Sequence, residues 1–470
     1  MKIRHIYPTL SLLWLLSCVP SADSNDGPQN ILFIVVDDLR PEFGAYGRAQ
    51  VISPHLNRLA AEGTVFERAY CNVPVCGSSR ASFLSGMRPG RTRFQGAYDT
   101  YLSKDLPGAV SLPRFLKNKG YSTHSLGKVY HHLKDDATAW ESIWYPEPRN
   151  HTGWRDYQTQ ENIDLHNGDR SRGLPYEQAE LPDSAYYDGR IAIRAMDQLE
   201  AMKGQTSPFF MAVGFLKPHL PFNAPKMYWD LYDSTQINLP SNYIKPITTP
   251  GRAFHNFGEL RNYNSIPKEG AVTDEMAKRL IHGYYACVSY TDAQIGKVLG
   301  KLEELGLAEN TIVVLIGDHG WNLGDHQLWC KHCNFESSLH TPLIVKAPSI
   351  RGPKRVADIV EFVDIYPSLV DMVELPVPIA LEGQSFVPLM QGKTRSKDYA
   401  ISKYWSGMTI IQDQWFYTEW IDDSLSIDGR MLFDHSVDSL EINNLAEDPQ
   451  YAGIVADLHQ KLRNNWGEDF

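Results

Sequence analysis

A thiol and a guanidinium group lie four residues apart in the run CGSSRASFLSG, which begins at Cys76 and includes Arg80. The run has the character of a junction between a loop and a helix, where backbone N–H groups without helical partners can bind an anion. The planar cation of Arg80 would add paired hydrogen bonds to the same anion. The spacing therefore predicts a modifiable nucleophile beside an anion-binding site.

Polar residues follow four apolar runs of the chain. The runs, at 30–36, 121–126, 209–215 and 311–316, are typical of strands buried on both faces of a mostly parallel sheet. The side chains that come after them are Asp37, Asp38, Lys128, His131, His132, Lys217, His219, Asp318 and His319. Parallel sheets bind ligands at the carboxyl ends of their strands, so these groups should meet at one edge. Any one of them could be structural, but four such strands indicate a site, because buried unpaired charge is costly.

Three of these residues are carboxylates that repel one another unless a cation lies between them. Asp37, Asp38 and Asp318 offer hard oxygen ligands, which favour Ca²⁺ or Mg²⁺. The adjacent His319 is a softer ligand and leaves zinc open. The alternative is a solvated acidic turn without a metal, which the position at the carboxyl ends of strands disfavours.

The elements that would hold these groups indicate an α/β fold class, with a large mostly parallel central sheet flanked by helices. Helical patterns lie between the strands at 54–62, 112–118, 183–202 and 274–305. Short β-type runs follow at 408–411, 415–420 and 431–434, and then a helical pattern at 454–464. They predict a small C-terminal antiparallel-sheet subdomain over 403–470, after a catalytic domain over 29–402.

Two stretches without clear periodicity are rich in polar and aromatic residues. The first excursion covers 139–181 and the second excursion covers 238–270. Long irregular segments of this kind run over the surface of a domain and usually carry its substrate specificity. We therefore expect both excursions to border the site at the strand ends.

The first 28 residues predict export. Lys2 and Arg4 precede an apolar run at 10–16 that is too short to span a bilayer. The run LLSC ending at Cys18 looks like a lipobox, so 1–18 is interpreted as a signal peptide with lipidation of Cys18, and 19–28 as a polar tether. Ordinary signal cleavage nearby is the alternative. Both interpretations predict an exported protein, and the first predicts a periplasmic or cell-surface lipoprotein whose only membrane contact is this lipid anchor.

The composition of the 470-residue chain is that of an ordinary globular protein, with 43% hydrophobic and 21% charged residues. A net charge of −11 argues against a nucleic-acid partner.

Besides Cys18 the chain has five cysteines. In an exported protein this odd number indicates one thiol outside any disulfide, and Cys76 is the candidate. Cys330 and Cys333 have no second Cys-x-x-Cys pair for a zinc site, and are expected to be two thiols or a local disulfide.

Taken in order, these motifs resemble the type I sulfatases of the alkaline phosphatase superfamily. The matching positions are Asp37, Asp38, Cys76, Arg80, Lys128, His131, His219, Asp318, His319 and Lys331. The strings GKVYH from Gly127, KPHLPF from Lys217 and GDHGW from Gly317 look most like the iduronate-2-sulfatase branch. His132 repeats His131, so that assignment could shift by one residue.

The resemblance implies a mechanism. Cys76 would be oxidised to formylglycine by a maturation enzyme, and the hydrate would attack the sulfur of a sulfate ester. Asp37, Asp38, Asp318, His319 and residue 76 would bind one divalent cation, taken as Ca²⁺. Arg80, Lys128 and Lys331 would stabilise the sulfate oxygens. His219 would protonate the leaving sugar oxygen, and His131 would deprotonate the second hydroxyl of the hydrate.

The implied substrate is a sulfated oligosaccharide or polysaccharide. The branch resemblance predicts exo-acting 2-O-desulfation of uronate-containing glycans, as in glycosaminoglycan degradation. Two alternatives remain open from the residues. The first is a phosphoryl or phosphonate ester hydrolase of the same superfamily, with a similar sheet edge and metal. The second is a non-catalytic, glycan-binding lipoprotein, which would explain the anchor and the abundant aromatic residues but not the clustered polar groups.

Overall fold

The computed structural model describes residues 29–466, except 97, 169–171, 351, 353, 423 and 425. The signal peptide with its lipobox, predicted over 1–18, and the tether, predicted over 19–28, lie outside the described residues. Within the described part of the chain, no helix has both the length and the apolar character needed to cross a membrane.

The chain alternates strands and helices up to residue 372 and then becomes mainly β. The strands are β1 (Asn30–Val36), β2 (Thr64–Tyr70), β3 (Ser122–Gly127), β4 (Ser142–Trp144), β5 (Tyr176–Ala179), β6 (Phe209–Phe215), β7 (Phe222–Pro225), β8 (Thr311–Gly317), β9 (Asn322–Leu323), β10 (Trp329–Cys330), β11 (Leu343–Lys346), β12 (Arg355–Glu361), β13 (Tyr399–Tyr404), β14 (Gly407–Gln412), β15 (Trp415–Ile421) and β16 (Ile427–Asp434). The α-helices are α1 (Pro54–Glu62), α2 (Cys76–Ser85), α3 (Leu102–Asp105), α4 (Leu112–Asn118), α5 (Gln160–Asn167), α6 (Tyr187–Met202), α7 (Lys226–Trp229), α8 (Gly258–Arg261), α9 (Asp274–Glu304), α10 (Glu336–Leu339), α11 (Ile365–Met372), α12 (Val387–Met390) and α13 (Ala452–Trp466).

The central sheet has eight strands in the order β12-β2-β11-β8-β1-β6-β3-β4. β11 runs antiparallel to both of its neighbours, and the other pairs are parallel. The four predicted strands are the adjacent set β8-β1-β6-β3. Val36 pairs with both Phe215 and Gly317, so these strands end at the same level. The predicted mostly parallel sheet is confirmed.

Apolar side chains on both faces hold this sheet in a three-layer arrangement. Along β1, Leu32, Ile34 and Val36 belong to one hydrophobic cluster, and the alternate residues Ile31 and Phe33 belong to another. Helices α1, α6 and α9 contribute to the first cluster, and α2, α4 and α11 to the second. Because side chains alternate between the faces of a strand, a run that is apolar at every position must be covered on both sides.

A second, antiparallel sheet β13-β14-β15-β16 forms the C-terminal subdomain, as predicted. Helix α13 packs on one face through Leu458 and Leu462, while Phe416 and Phe433 on the other face join the core of the central sheet. The predicted boundary between 402 and 403 falls inside β13, which begins at Tyr399. This strand forms a hairpin with β14, in which Tyr399 lies opposite Gln412, so the residues from 399 onward belong to the second sheet.

Candidate active site

Three buried aspartates meet where β1 and β8 end. The amide of Asp37 donates to the carbonyl of Phe215 at 3.1 Å, and that of Asp318 donates to Val36 at 3.1 Å, so the ladder continues one residue beyond the strands. Asp38 then turns away with a φ of 61°, and its amide donates to Asp318 Oδ1 at 3.0 Å. The sheet edge therefore fixes the backbone of all three carboxylates.

Cys76 is the first residue of α2, as the predicted loop-to-helix junction requires. Its Sγ lies 3.2 Å from His319 Nε2 and 3.9 Å from Asp38 Oδ1. The side chain is almost completely buried, and this burial raises the pKa of the thiol to about 11, with Asp37 adding to the rise. Burial therefore disfavours the thiolate of the encoded cysteine, which is its nucleophilic form.

Arg80, one turn along α2, is completely enclosed and binds two of the aspartates. Its Nε donates to Asp318 Oδ2 at 2.9 Å and its Nη2 to Asp37 Oδ1 at 3.1 Å. Nη1 donates to the carbonyls of Lys128 and Val129. These contacts give Arg80 a positioning role among the carboxylates, and its predicted contact with sulfate oxygens stays a prediction.

Lysines neutralise the remaining carboxylate charge. The Lys128 ammonium donates to Asp37 Oδ2. Burial favours a higher pKa for Asp37, but Lys128, His219 and Arg80 outweigh it and hold the pKa well below its ordinary value. Lys331 Nζ donates to Asp38 Oδ1 at 3.1 Å and lies 4.9 Å from the centre of the Trp321 ring. Both predicted lysines are thus in the cluster.

Glu259 completes the cluster from the second excursion and was not found from the sequence. Its carboxylate lies 2.9 Å from Lys331 Nζ and 3.1 Å from His219 Nε2. Burial tends to raise the pKa of Glu259, but Lys331 and His219 overcome it and lower the pKa well below its usual value. The residue sits in the four-residue helix α8, and no periodicity or motif distinguishes it there.

His219 lies between two acceptor groups. Nδ1 lies 2.6 Å from the carbonyl oxygen of Leu220, which can only accept, so Nδ1 carries a proton. Nε2 lies 3.1 Å from the carboxylate of Glu259. These two contacts fix the orientation of the ring and direct Nε2 towards the cluster.

The structure separates the two adjacent histidines. His131 lines the cavity beside Lys128, and its Nδ1 has no hydrogen-bond partner among the described residues. Burial, followed by the charge of Lys128, lowers the pKa of His131 to about 2, so the ring is neutral. His132 instead bonds the carbonyl of Tyr98 at 2.7 Å and stacks on Tyr101 at 3.8 Å. Of the two, His131 is the residue placed to act in the cavity.

The donor set fits the predicted divalent cation. Ligand atoms of Asp37, Cys76, Asp318 and His319 lie within 4.8 Å of one another, and so do those of Asp37, Asp38, Cys76 and His219. His319 Nδ1 lies 2.9 Å from the carbonyl of Gly320, which can only accept, so Nδ1 carries the proton and the lone pair of Nε2 faces the other ligand atoms. Burial raises the pKa of Asp38 to about 7 against the opposing charge of Lys331, and a cation would relieve that cost. Such a carboxylate-rich set suits Ca²⁺ or Mg²⁺.

A cavity of about 740 Å³ opens beside the cluster. Its lining includes Tyr98, Lys128, His131, Tyr145, Trp154, Arg155, Arg172, His219, His255, Asn256, Glu259, Asn262, His332 and Tyr404. Both excursions contribute, as expected from their composition. The volume is in the range of small-ligand sites and is large enough for one or two sugar residues. Trp154, Arg155 and Arg172 were not singled out from the sequence.

The Cys-x-x-Cys pair holds two free, buried thiols. The Sγ of Cys333 lies 3.1 Å from Ser338 Oγ, and the amide of Asn322 donates to the same sulfur. Cys330 and Cys333 were expected to be either two thiols or a local disulfide, and in the structure they are two thiols.

The chain matches two family models and several known proteins. The "Sulfatase" model matches residues 29–375, and the "N-sulphoglucosamine sulphohydrolase, C-terminal" model matches residues 324–467. Mouse iduronate 2-sulfatase is 33% identical over 389 residues, covering 74% of this chain and 69% of its own length. The human protein is 32% identical over 417 residues, covering 78% and 74%. The solved phosphonate monoester hydrolase of Silicibacter pomeroyi superposes with a TM-score of 0.74 at 23% identity, covering 92% of this chain and 94% of that one, and shows the fold alone.

Proposed function

The chain belongs to the sulfatase family, whose members hydrolyse sulfate esters, and we propose that it is an exo-acting 2-O-sulfatase of uronate-containing glycans. The observation that carries the proposal is the resemblance to iduronate 2-sulfatases over three quarters of the chain. The cavity supports it, because its size suits a terminal saccharide unit and its wall carries positive charge from Lys128, Arg155 and Arg172.

The proposed chemistry assigns each residue a task at a defined atom. Formylglycine made from Cys76 would supply the nucleophile, and a cation held by Asp37, Asp38, Asp318 and His319, proposed to be Ca²⁺, would supply positive charge for the sulfate oxygens. The protein's own residues handle the protons and the remaining charge. His219 gives its Nε2 proton to the leaving sugar oxygen, and Glu259 orients the ring.

Proton acceptance and charge stabilisation fall to the opposite side of the cluster. His131 lines the cavity and its Nδ1 has no hydrogen-bond partner among the described residues, so it is placed to take a proton when sulfate is released. Lys128 and Lys331 keep their positive charge, because their carboxylate partners outweigh the effect of burial and raise both pKa values. They would stabilise the negative charge that develops on the sulfate oxygens.

A panel of defined disaccharides tests the substrate. The matured protein is incubated with 2-O-sulfated uronate disaccharides and with 4-O-, 6-O- and N-sulfated ones, and released sulfate is measured. We expect at least a tenfold preference in kcat/KM for the 2-O-sulfated uronates, about 1.4 kcal/mol. Equal rates on all sulfated positions would contradict the 2-O assignment and leave the sulfatase chemistry intact.

Parallel assays on an aryl sulfate, phosphate and phosphonate test the reaction class. Faster turnover of the phosphorus esters would support the phosphoryl or phosphonate hydrolase alternative. Binding of the sulfated saccharides without turnover of any ester would support the glycan-binding alternative.

Two further assays address the cofactors. Mass spectrometry of the Cys76 peptide, from protein made with a formylglycine-generating maturation enzyme, should show the aldehyde. Chelation should lower the melting temperature and abolish turnover, because the carboxylates would then repel one another, and Ca²⁺ should restore both better than Mg²⁺. Equal restoration by Mg²⁺ would contradict the choice of ion.

We also propose that the protein is an exported periplasmic or cell-surface lipoprotein. The lipobox-like run ending at Cys18 and the polar segment after it support this proposal. Replacing Cys18 with Ala should move the protein from the membrane fraction to the soluble exported fraction, which cell fractionation measures. A variant that stays with the membrane would contradict the lipid anchor.

A further inference from the structure

Two arginines of the first excursion face the cavity, and no acidic side chain of the described residues pairs with either of them. Arg155 ends a short 3-10 turn, and Arg172 forms an isolated β-bridge with Tyr263 of the second excursion. Neither guanidinium group forms an ion pair within the described ranges, and the Nε of Arg155 is buried without a hydrogen-bond partner there. The nearby Arg190, by contrast, donates to both carboxylate oxygens of Asp156 at 3.1 Å. Unpaired cations in a partly buried wall need an explanation.

Aromatic rings hold both guanidinium groups in place. The Arg155 guanidinium carbon lies 4.6 Å from the centre of the Trp154 ring, and that of Arg172 lies 5.2 Å from the Tyr263 ring. Tyr263 is itself only 1% exposed. Stacking on an aromatic face fixes the plane of a guanidinium and leaves its N–H edges free to donate.

The positive charges of Arg155 and Arg172 repel each other. Burial lowers the pKa of Arg155, and the charge of Arg172 lowers it further. The acidic side chain among the described residues of the cavity wall is Glu259, and Lys331 and His219 already bind it. The pair therefore has no counter-charge among the described residues, and an anionic ligand would relieve both the repulsion and the loss of hydration.

Two ring contacts relate Arg155 to the strand-end cluster. The Trp154 ring is perpendicular to the His219 ring with centres 5.1 Å apart, so Trp154 stands between the proton donor and Arg155. An anion bound by the arginines is then separate from the sulfate that occupies the strand-end cluster. In a saccharide substrate, such an anion would belong to another part of the molecule.

We propose that Arg155 and Arg172 bind the carboxylate of a uronate residue of the substrate, and that Trp154 and Tyr263 position their guanidinium groups. This subsite rests on the proposed function, since it would bind the carboxylate of the sugar from which the sulfate is removed. A carboxylate matches the planar guanidinium fork in two parallel hydrogen bonds. A second sulfate of the saccharide is the other anionic group with related chemistry, and the test separates the two.

The test compares Arg155→Gln and Arg172→Gln with Arg149→Gln as a matched control. Arg149 lies in the same excursion, is exposed and is outside the cavity lining, so its replacement removes the same charge from the same segment. Three substrates are used. The first is a 2-O-sulfated uronate disaccharide, the second is the same disaccharide with a hexose in place of the uronate and with a second sulfate, and the third is an aryl sulfate. For each variant kcat and KM are measured on each substrate.

We expect kcat/KM for the uronate to fall about 10- to 100-fold more than kcat/KM for the aryl sulfate in both cavity variants, chiefly through KM. Arg149→Gln should change all substrates alike and by less than about twofold. Arg155→Lys should recover part of the loss, because it restores the charge but not the planar fork. Equal losses on uronate and aryl sulfate would overturn the subsite, and so would a loss confined to the disulfated hexose, which would assign the arginines to sulfate.

Direct binding separates failure of the subsite from failure of the proposed function. Cys76→Ala protein, which cannot form formylglycine, is titrated with the unsulfated uronate disaccharide by calorimetry. Adding Arg155→Gln should weaken this binding about tenfold or more, whatever reaction the enzyme performs. Unchanged affinity would overturn the proposal even if the parent enzyme prefers 2-O-sulfated uronates. Turnover of no uronate substrate by the parent would contradict the proposed function instead.

Discussion

The strand-end cluster and the excursion wall border the same cavity but treat charge in opposite ways. In the cluster each buried carboxylate already has a cation: Arg80 and Lys128 bind Asp37, and Lys331 binds Asp38. In the wall, Arg155 and Arg172 have no such partner in the described part of the chain. The cluster is thus assembled before the substrate arrives, as transition-state stabilisation requires, whereas the wall is completed by the substrate.

Replacing Cys76, the proposed source of the nucleophile, should give the largest loss of activity among the variants considered. Cys76→Ala should lower kcat/KM for an aryl sulfate by about 10⁴-fold or more, since no other group in the cluster can take over covalent catalysis. The fold should survive, and the melting temperature and circular dichroism check it. Cys287→Ala, a buried cysteine of α9 away from the cavity, serves as the control and should keep its activity. Appreciable turnover by Cys76→Ala would place the chemistry elsewhere.

His219→Ala tests whether the cluster supplies the proton. We expect kcat to fall about 10²- to 10³-fold on sugar substrates, whose alkoxide leaves poorly, and only about tenfold or less on an aryl sulfate. His132→Ala, which removes a histidine stacked outside the cavity, should stay near wild type on both. Equal losses on the two substrate types would assign His219 to sulfate binding, with proton donation passing to Lys331 or His131.

Glu361 allows the contribution of a buried ion pair to the free energy of unfolding to be measured away from the cavity. It binds Arg88 and Lys397, which outweigh the effect of burial and lower its pKa from 4.5 to about 2. The pKa is lower in the folded state, so its stabilising effect is complete above pH 4.5 and is lost as the pH falls towards 2. Glu361→Gln should lower the free energy of unfolding by about 3 kcal/mol at pH 7 and by much less at pH 3, measured with urea.

Glu67→Gln is the matched control for that measurement. Glu67 forms an exposed ion pair with Arg355 between β2 and β12, and its loss should cost about 0.5 kcal/mol. If the two variants lost equal stability, burial would not be what distinguishes the Glu361 pair. A pH-independent loss in Glu361→Gln would show that packing, not charge, is responsible.

Trp154 gives the smallest predicted effect, because it belongs to the wall. Trp154→Ala should raise KM for the disaccharide about 3- to 10-fold, the range for one aromatic contact, and leave kcat on an aryl sulfate within about twofold. Trp154→Phe should restore most of the affinity. A large fall in kcat on the aryl sulfate would mean that the wall also orders His219, since the two rings are in contact.

The central strands could be predicted because they are apolar at every position. The runs at 30–36 and 209–215 coincide with β1 and β6. β2 and β12 were missed, since Glu67 and the exposed Asp358 interrupt their patterns near the edge of the sheet. β11 was missed because four residues are too few for a periodicity.

The site divides in the same way. Asp37, Asp38 and Asp318 were found because each follows a strand that the sequence reveals, and the end of a parallel strand is a place where ligands bind. Glu259 and Arg155 depend on how the irregular excursions fold back over the sheet, and no local pattern encodes that path. Structure was also needed to choose His131 over His132, since contacts with Tyr98 and Tyr101 decide it.

The burial of Cys76 sets an order of events in time. The folded protein leaves 1% of this side chain accessible, and Arg80, within the same motif, is covered completely. A modifying enzyme needs access to the thiol and to the residues around it, and in the folded protein those residues are buried. Any conversion of Cys76 would therefore have to happen while the chain is still being made or before α2 docks. The relative rates of folding and modification would then set the fraction of molecules that carry the modified residue.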